Sequence, residues 1–134
     1  MHDDDQTSPF RFDDSILHLG PISSTVVRAF SWDQIGEYGA RFASDGAQGR
    51  MVTVFPQAES WTSWERHPAG EELVFLISGR VDLIQELDGE EHRIELHAGD
   101  AVLNPPGVWH TSDVHEPGDA LFITPGEGTE HRPR

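Results

Sequence analysis

Apolar and polar residues alternate over short stretches of this chain, and each stretch ends at a turn. Met51 to Phe55 sets Met51, Thr53 and Phe55 against Val52 and Val54. Val81 to Leu87 sets Val81, Leu83, Gln85 and Leu87 against Asp82, Ile84 and Glu86. A period of two sends successive side chains to opposite faces of a strand. Asp88-Gly89 is a hairpin turn signal, and Arg93 to Leu96 is the returning strand. Ser24 to Phe30 is rich in β-formers. Leu73 to Ile77 is a continuous apolar run, as expected of a strand covered on both faces. Ala101 to Leu103 and Ala120 to Thr124 complete the set. Further turns fall at Ser78-Gly79, Ala98-Gly99-Asp100, Pro105-Pro106-Gly107 and Pro117-Gly118-Asp119. Short strands so punctuated predict an all-β barrel or sandwich rather than a βαβ fold. The pattern allows one short N-terminal helix, around Ser31 to Glu37, with Ser31 as its cap. No internal repeat is visible.

The polar, acidic residues 1–15 are expected to form a flexible arm. Residues 16–125 hold the strand signals of the barrel, and 126–134 read as an extended C-terminal tail. A length of 134 residues suits one domain with one core. Twenty-four acidic against nine basic residues give a formal charge of −15. That argues against nucleic acid, whose phosphates require Lys and Arg, and against anionic membrane surfaces. The acidity reads as a means of staying in solution. There is no cysteine, hence no disulfide and no thiolate metal site. Met1-His2-Asp3-Asp4-Asp5 is acidic where a signal peptide would be basic, and no run approaches a membrane span. The expectation is a soluble cytoplasmic protein.

Candidate chemistry lies in two segments. The first runs from Trp64-Glu65-Arg66-His67 through Pro68-Ala69-Gly70 to Glu71-Glu72 and on to Gly79. The second is Gly99-Asp100 followed by Pro105-Pro106-Gly107-Val108-Trp109-His110. Glu65 and His67 are two apart, so they share a strand face with Ser63 and Trp61. Spacing to Gly79 favours Glu72 over Glu71 as the inward carboxylate. His110 follows a turn that can set it at the start of a strand. Two histidines and a carboxylate are the minimal ligand set for an open transition-metal site. Buried together without a cation, such groups would leave costly unpaired polar atoms. Trp61 is placed to wall a substrate pocket. Met51 and Phe55 lie on a candidate pocket strand, although core packing also accounts for them. Trp64 and Trp109 should face away from the site and pack between layers. His2, His92, His97, His115 and His131 are expected to be exposed. His18 has no assigned role, and no Ser-His-Asp or P-loop pattern is present.

These segments resemble the two motifs of the cupin superfamily. In the first, Glu65-Arg66-His67, four residues, Glu72, six residues and Gly79 keep the family's spacing, with Glu65 where the first histidine usually stands. In the second, Gly99, Pro105, Gly107 and His110 match throughout, and Val114 replaces a usual Asn. The resemblance implies a single-domain jelly-roll β-barrel of antiparallel strands with a metal near one open end. It implies His67, Glu72 and His110 as ligands. Glu65 is either a fourth ligand or a hydrogen-bond acceptor beside the metal that can serve as general base. It also implies a homodimer, with terminal segments lent to the neighbour.

Function follows in two classes. One is a small metal-dependent enzyme, with Fe(II) the first choice and Mn, Ni or Zn the others. Dioxygenase-type cleavage of a small oxygenated or aromatic compound leads by resemblance, ahead of an isomerase or lyase. The other is a metal- or ligand-binding module without turnover, acting as a sensor. A structural cupin without metal is a third possibility, since the fold hosts many unrelated activities.

Overall fold

The computed structural model describes residues 8–134. Its strands are β1 (Ser15–Leu19), β2 (Thr25–Ala29), β3 (Arg50–Gln57), β4 (Ser63–Arg66), β5 (Glu72–Leu76), β6 (Arg80–Leu87), β7 (Glu90–His97), β8 (Ala101–Asn104), β9 (His110–Glu116), β10 (Gly118–Thr124) and β11 (Glu130–Pro133). They form a six-stranded sheet, in the order β2-β1-β3-β10-β5-β8, and a five-stranded sheet, β11-β4-β9-β6-β7. Every pairing between these strands is antiparallel. This is the antiparallel two-sheet jelly-roll barrel that the resemblance implies.

The alternation that predicted the strands also decides what they bury. In β5, Glu72, Val74 and Leu76 are buried while Leu73 and Phe75 are half-buried. The run from Leu73 to Ile77 is therefore not covered equally on both faces, and Ile77 lies past the strand end and is exposed. Val74, Leu76, Val81, Leu83, Leu96, Ala120 and Phe122 form one apolar cluster between the sheets. Trp61, Ile94, Val102 and Val114 pack against it. Asp88 and Gly89 both adopt positive φ (54° and 78°), as a two-residue type I′ hairpin requires, and β6 and β7 pair in register from Arg80↔His97 to Leu87↔Glu90.

The helical segment is longer than expected. A 3₁₀ turn over Trp32–Gln34 leads into α1 (Ile35–Arg41), and a further 3₁₀ stretch spans Ala43–Gln48. Ser31 caps it as anticipated, its backbone N–H donating to the Gln34 side chain at 3.1 Å. Ile35, Tyr38, Gly39, Phe42 and Ala43 recur at helical spacing and line a cavity between the sheets.

Of the acidic arm expected over 1–15, residues 1–7, including His2, lie outside the described residues. Ser15 already belongs to β1. Residues 130–133 of the expected tail pair with β4, from Glu130↔Arg66 to Pro133↔Ser63. Among the described residues, no helix is long and apolar enough to cross a membrane.

Candidate metal centre

Three strand ends bring the predicted residues to one point. Glu65 sits on β4 and His67 just beyond its end, so both project into the cavity. Glu72 opens β5 and His110 opens β9. Glu65 and His110 are directly opposed across the β4–β9 pair. The turn before His110 depends on Gly107, whose φ of 72° suits a residue without Cβ, and Val108 N–H closes it on Pro105 O at 3.2 Å. Each of Glu65, His67, Glu72 and His110 offers a ligand atom, all within 4.8 Å of one another. Glu72 is 2 % exposed and His110 fully buried. Glu71 is exposed, so Glu72 is the inward carboxylate.

The hydrogen bonds around these side chains fix their proton positions. His67 Nδ1 lies 2.8 Å from Thr129 Oγ1, and the Thr129 hydroxyl donates its one hydrogen to Gly126 O at 2.9 Å. Thr129 must therefore accept from His67, which puts the proton on Nδ1. His110 Nδ1 donates to Val108 O at 3.3 Å, because a carbonyl can only accept. A neutral imidazole at either position consequently aims an Nε2 lone pair into the site. Nε2 of His67 stands 3.1 Å from Glu72 Oε2 and 3.4 Å from Glu65 Oε1, yet it makes no hydrogen bond with either. Nε2 of His110 stands 3.2 Å from Glu72 Oε1 and 3.4 Å from Glu65 Oε1.

Lone pairs facing carboxylates repel unless a cation lies between them, either protons on the rings or a metal. Without a metal, protons serve. Burial alone would depress the pKa values of His67 and His110, but Glu65 and Glu72 outweigh it and raise both to about 9. Burial would raise Glu72, but the two histidines hold it down at about 2, and they hold Glu65 lower still. A metal would satisfy the same geometry. Donors each about 2.1 Å from one ion stand roughly 3 Å apart when adjacent, close to the 3.1–3.4 Å separations found here. Two imidazoles and two carboxylates thus form a group able to hold a divalent metal.

Residues not singled out in the sequence hold the group in place. Asn104 Nδ2 donates to Glu72 Oε1 at 3.0 Å, and Gln85 Nε2 in turn donates to Asn104 Oδ1 at 2.8 Å. Thr124 Oγ1 donates to the other Glu72 oxygen at 2.5 Å. His131 on β11 is exposed as expected, but its Nε2 lies 3.2 Å from Glu65 Oε2. Glu65 thereby points one oxygen into the centre and the other at His131. His115 turns away and pairs with Asp82 at 3.0 Å.

The cavity holds about 1130 Å³. Trp61, Met51 and Phe55 line it, together with Thr53, Phe122 and the helix residues. Trp61 also packs against the core and lies 6.1 Å from the His110 ring. Trp64 and Trp109 stack with cations: the Arg132 guanidinium lies 5.2 Å from Trp64 and 4.6 Å from Trp109, and Arg66 lies 4.6 Å from Trp109.

No curated protein matches the chain. Among solved structures it is similar to a cupin-2 domain containing protein from Shewanella frigidimarina, with 20% identity, TM-score 0.48, and coverage of 63% of this chain and 71% of that one. It is similar to hydroquinone 1,2-dioxygenase from Sphingomonas sp. TTNP3 at 16% identity and TM-score 0.47, covering 56% of this chain and 58% of that one. It is also similar to oxalate decarboxylase from Bacillus subtilis at 18% identity and TM-score 0.52, over 71% of this chain but only 26% of that enzyme. At this identity the likeness to the decarboxylase speaks for the fold alone. The family model described as the cupin domain matches residues 50–124, more than half the chain. That match spans β3 to β10 and takes in Glu65, His67, Glu72 and His110, so the chain belongs to the cupin family.

Proposed function

We propose that this cupin is a metal-dependent enzyme that binds one divalent cation through Glu65, His67, Glu72 and His110 and acts on a small, largely apolar or aromatic compound. The observation that carries the proposal is the convergence of two buried Nε2 atoms and two carboxylates at the wall of an aromatic cavity, with His67 Nε2 making no hydrogen bond. Mixed imidazole and carboxylate donors without thiolate suit Fe(II) first, and Mn, Ni or Zn as alternatives. Such an ion supplies Lewis acidity and, as iron, reactivity towards dioxygen.

The chain's own residues supply the rest. Asn104 and Thr124 orient Glu72, and Thr129 fixes the His67 tautomer. His131 holds the second oxygen of Glu65 at the cavity rim. Trp61, Phe55, Met51 and Phe122 exclude water from the bound compound. We infer dioxygenase-type cleavage as the reaction: both atoms of dioxygen enter the product, a carbon–carbon bond breaks, and the substrate itself supplies all the electrons. Loading the protein with Fe(II) without oxygen, then adding oxygen with a panel of catechols, diketones and hydroxy acids, tests this. Oxygen uptake tied to one compound, with both labelled atoms in the product, is the expected result. Tight binding of a compound with no product under any metal would make the chain a binding module instead.

A further inference from the structure

A second polar cluster lines the same cavity, on the side of β1 and the helix. His18, on β1, is 2 % exposed and has both ring nitrogens engaged. Nδ1 lies 2.6 Å from the Tyr38 hydroxyl and Nε2 lies 2.6 Å from Asp45 Oδ2. Phe42 stacks on the ring with centroids 3.7 Å apart. The fit is close, since a Cβ on Gly49 would come within 2.9 Å of His18 Cε1. These contacts also fasten the helical segment to the barrel, but fastening leaves one group unused.

That group is the Tyr38 oxygen. Asp45 as a carboxylate only accepts, so His18 Nε2 carries the ring proton. In that tautomer Nδ1 is the acceptor, and it takes the Tyr38 O–H. Tyr38 keeps that hydrogen, because burial and the Asp45 charge push its pKa up. Tyr38 helps to line the cavity, and with its hydrogen committed to His18 its oxygen has only lone pairs to offer a ligand.

Sheet register sets the distance to the metal centre. His18 pairs with Met51, Met51 pairs with Thr124, and Thr124 donates to Glu72. One cross-strand row thus runs from the His18 cluster to the centre. Three strand spacings separate His18 from Glu72, about 14 Å. The wall between is apolar and aromatic, formed by Met51, Phe122 and Trp61.

We propose that His18, Tyr38 and Asp45 form a distal subsite, where the Tyr38 oxygen accepts a hydrogen bond from the hydroxyl of an elongated aromatic ligand whose carboxylate or other oxygen head lies at Glu65, His67, Glu72 and His110. The proposal rests on reading those four residues as a metal site. The substrate class is then an aryl hydroxy acid or a similarly extended hydroxy-arene, not a short aliphatic acid. Tyr38 touches the ligand, and His18 and Asp45 position it.

Zinc-loaded protein, in which the metal has no redox chemistry, allows binding to be read without turnover. Calorimetry would compare 4-hydroxycinnamate with cinnamate, and 4′-hydroxybiphenyl-4-carboxylate with biphenyl-4-carboxylate. At least one hydroxylated probe should bind about tenfold more tightly than its partner, the worth of one good hydrogen bond. Tyr38→Phe should abolish that preference. Asp45→Asn should reduce it, since the His18 tautomer is no longer fixed. The comparison in unaltered protein needs no variant, so a Tyr38→Phe protein that fails to fold leaves the test decisive. Equal binding within both pairs, dependent on zinc, overturns the distal subsite and leaves the metal reading standing. A hydroxyl preference that survives removal of zinc supports the subsite and contradicts the metal reading. No binding of any probe to protein that retains its zinc overturns the distal subsite and leaves the metal reading standing.

Discussion

Glu65 stands where the family's first histidine usually stands, and Glu65→Gln is the substitution with the most to reveal. Gln keeps the side chain's size and one carbonyl oxygen, but it loses the charge. Glu65 Oε1 lies 3.4 Å from both Nε2 atoms. Its charge helps to hold His67 and His110 at about 9. The substitution therefore has two effects of opposite sign. Loss of an anionic ligand weakens metal binding, by at least about tenfold, or 1.4 kcal/mol. Loss of the same charge lets the imidazole pKa values fall, because Glu65 is one of the two carboxylates that raise them, which reduces the competition from protons. Below the imidazole pKa values the second effect masks part of the first. Above about pH 9 the rings are neutral in both proteins and the loss of the ligand is fully exposed. The affinity ratio of unaltered protein to Glu65→Gln should therefore grow between pH 7 and pH 9. Competition titrations with a chelator, using Zn(II) and Co(II), would measure it. Equal affinity at pH 9 with turnover lost would refute the reasoning and make Glu65 a base rather than a ligand.

Further outcomes follow from the same geometry. Thr129→Val removes the acceptor that fixes the His67 tautomer, and should weaken metal affinity by about tenfold with little change in fold, as read by chelator competition. His110→Ala should abolish metal binding while the far-UV spectrum is retained, because the apolar cluster between the sheets does not include it; a collapsed spectrum would contradict this. The metal-free protein should lose stability as pH rises from about 7 to 9. The raised imidazole pKa values contribute stability that is complete below the unfolded value of about 6.5 and gone once pH passes about 9. Glu72, held at about 2, contributes with the opposite sign: its share is lost as pH falls from about 4.5 towards 2. Melting curves in chelator across that range check both limits, and added metal should remove the alkaline decline.

The hairpin β6–β7 was legible because Val81 to Leu87 alternates cleanly and Asp88-Gly89 supplies the turn. The convergence of Glu65, His67, Glu72 and His110 was legible because they sit at strand ends at fixed spacing from glycines. The strands β1, β9 and β11 were less so. His110–Glu116 is polar and buries His110, Thr111 and Ser112 only because it lies between β4 and β6. Glu130–Pro133 carries no apolar alternation and is a strand only because β4 offers it an edge. The supports of the centre share this character. Thr124, Thr129 and His131 lie 52, 62 and 66 residues from the side chains they contact. No local pattern marks such a pairing; the barrel's closure creates it. His18 looked unassignable for the same reason, since Tyr38 and Asp45 reach it only after the helical segment folds back over β1.

The central claim is that Glu65, His67, Glu72 and His110 hold one divalent ion. Anomalous scattering from crystals of protein loaded in turn with Fe(II), Mn(II), Ni(II) and Zn(II) tests it directly. The account predicts, for at least one of these metals, a single strong peak per chain, bounded by Glu65 Oε1, the Glu72 carboxylate and the Nε2 atoms of His67 and His110. No peak there with any of the four metals, or a peak held by other residues, would contradict it.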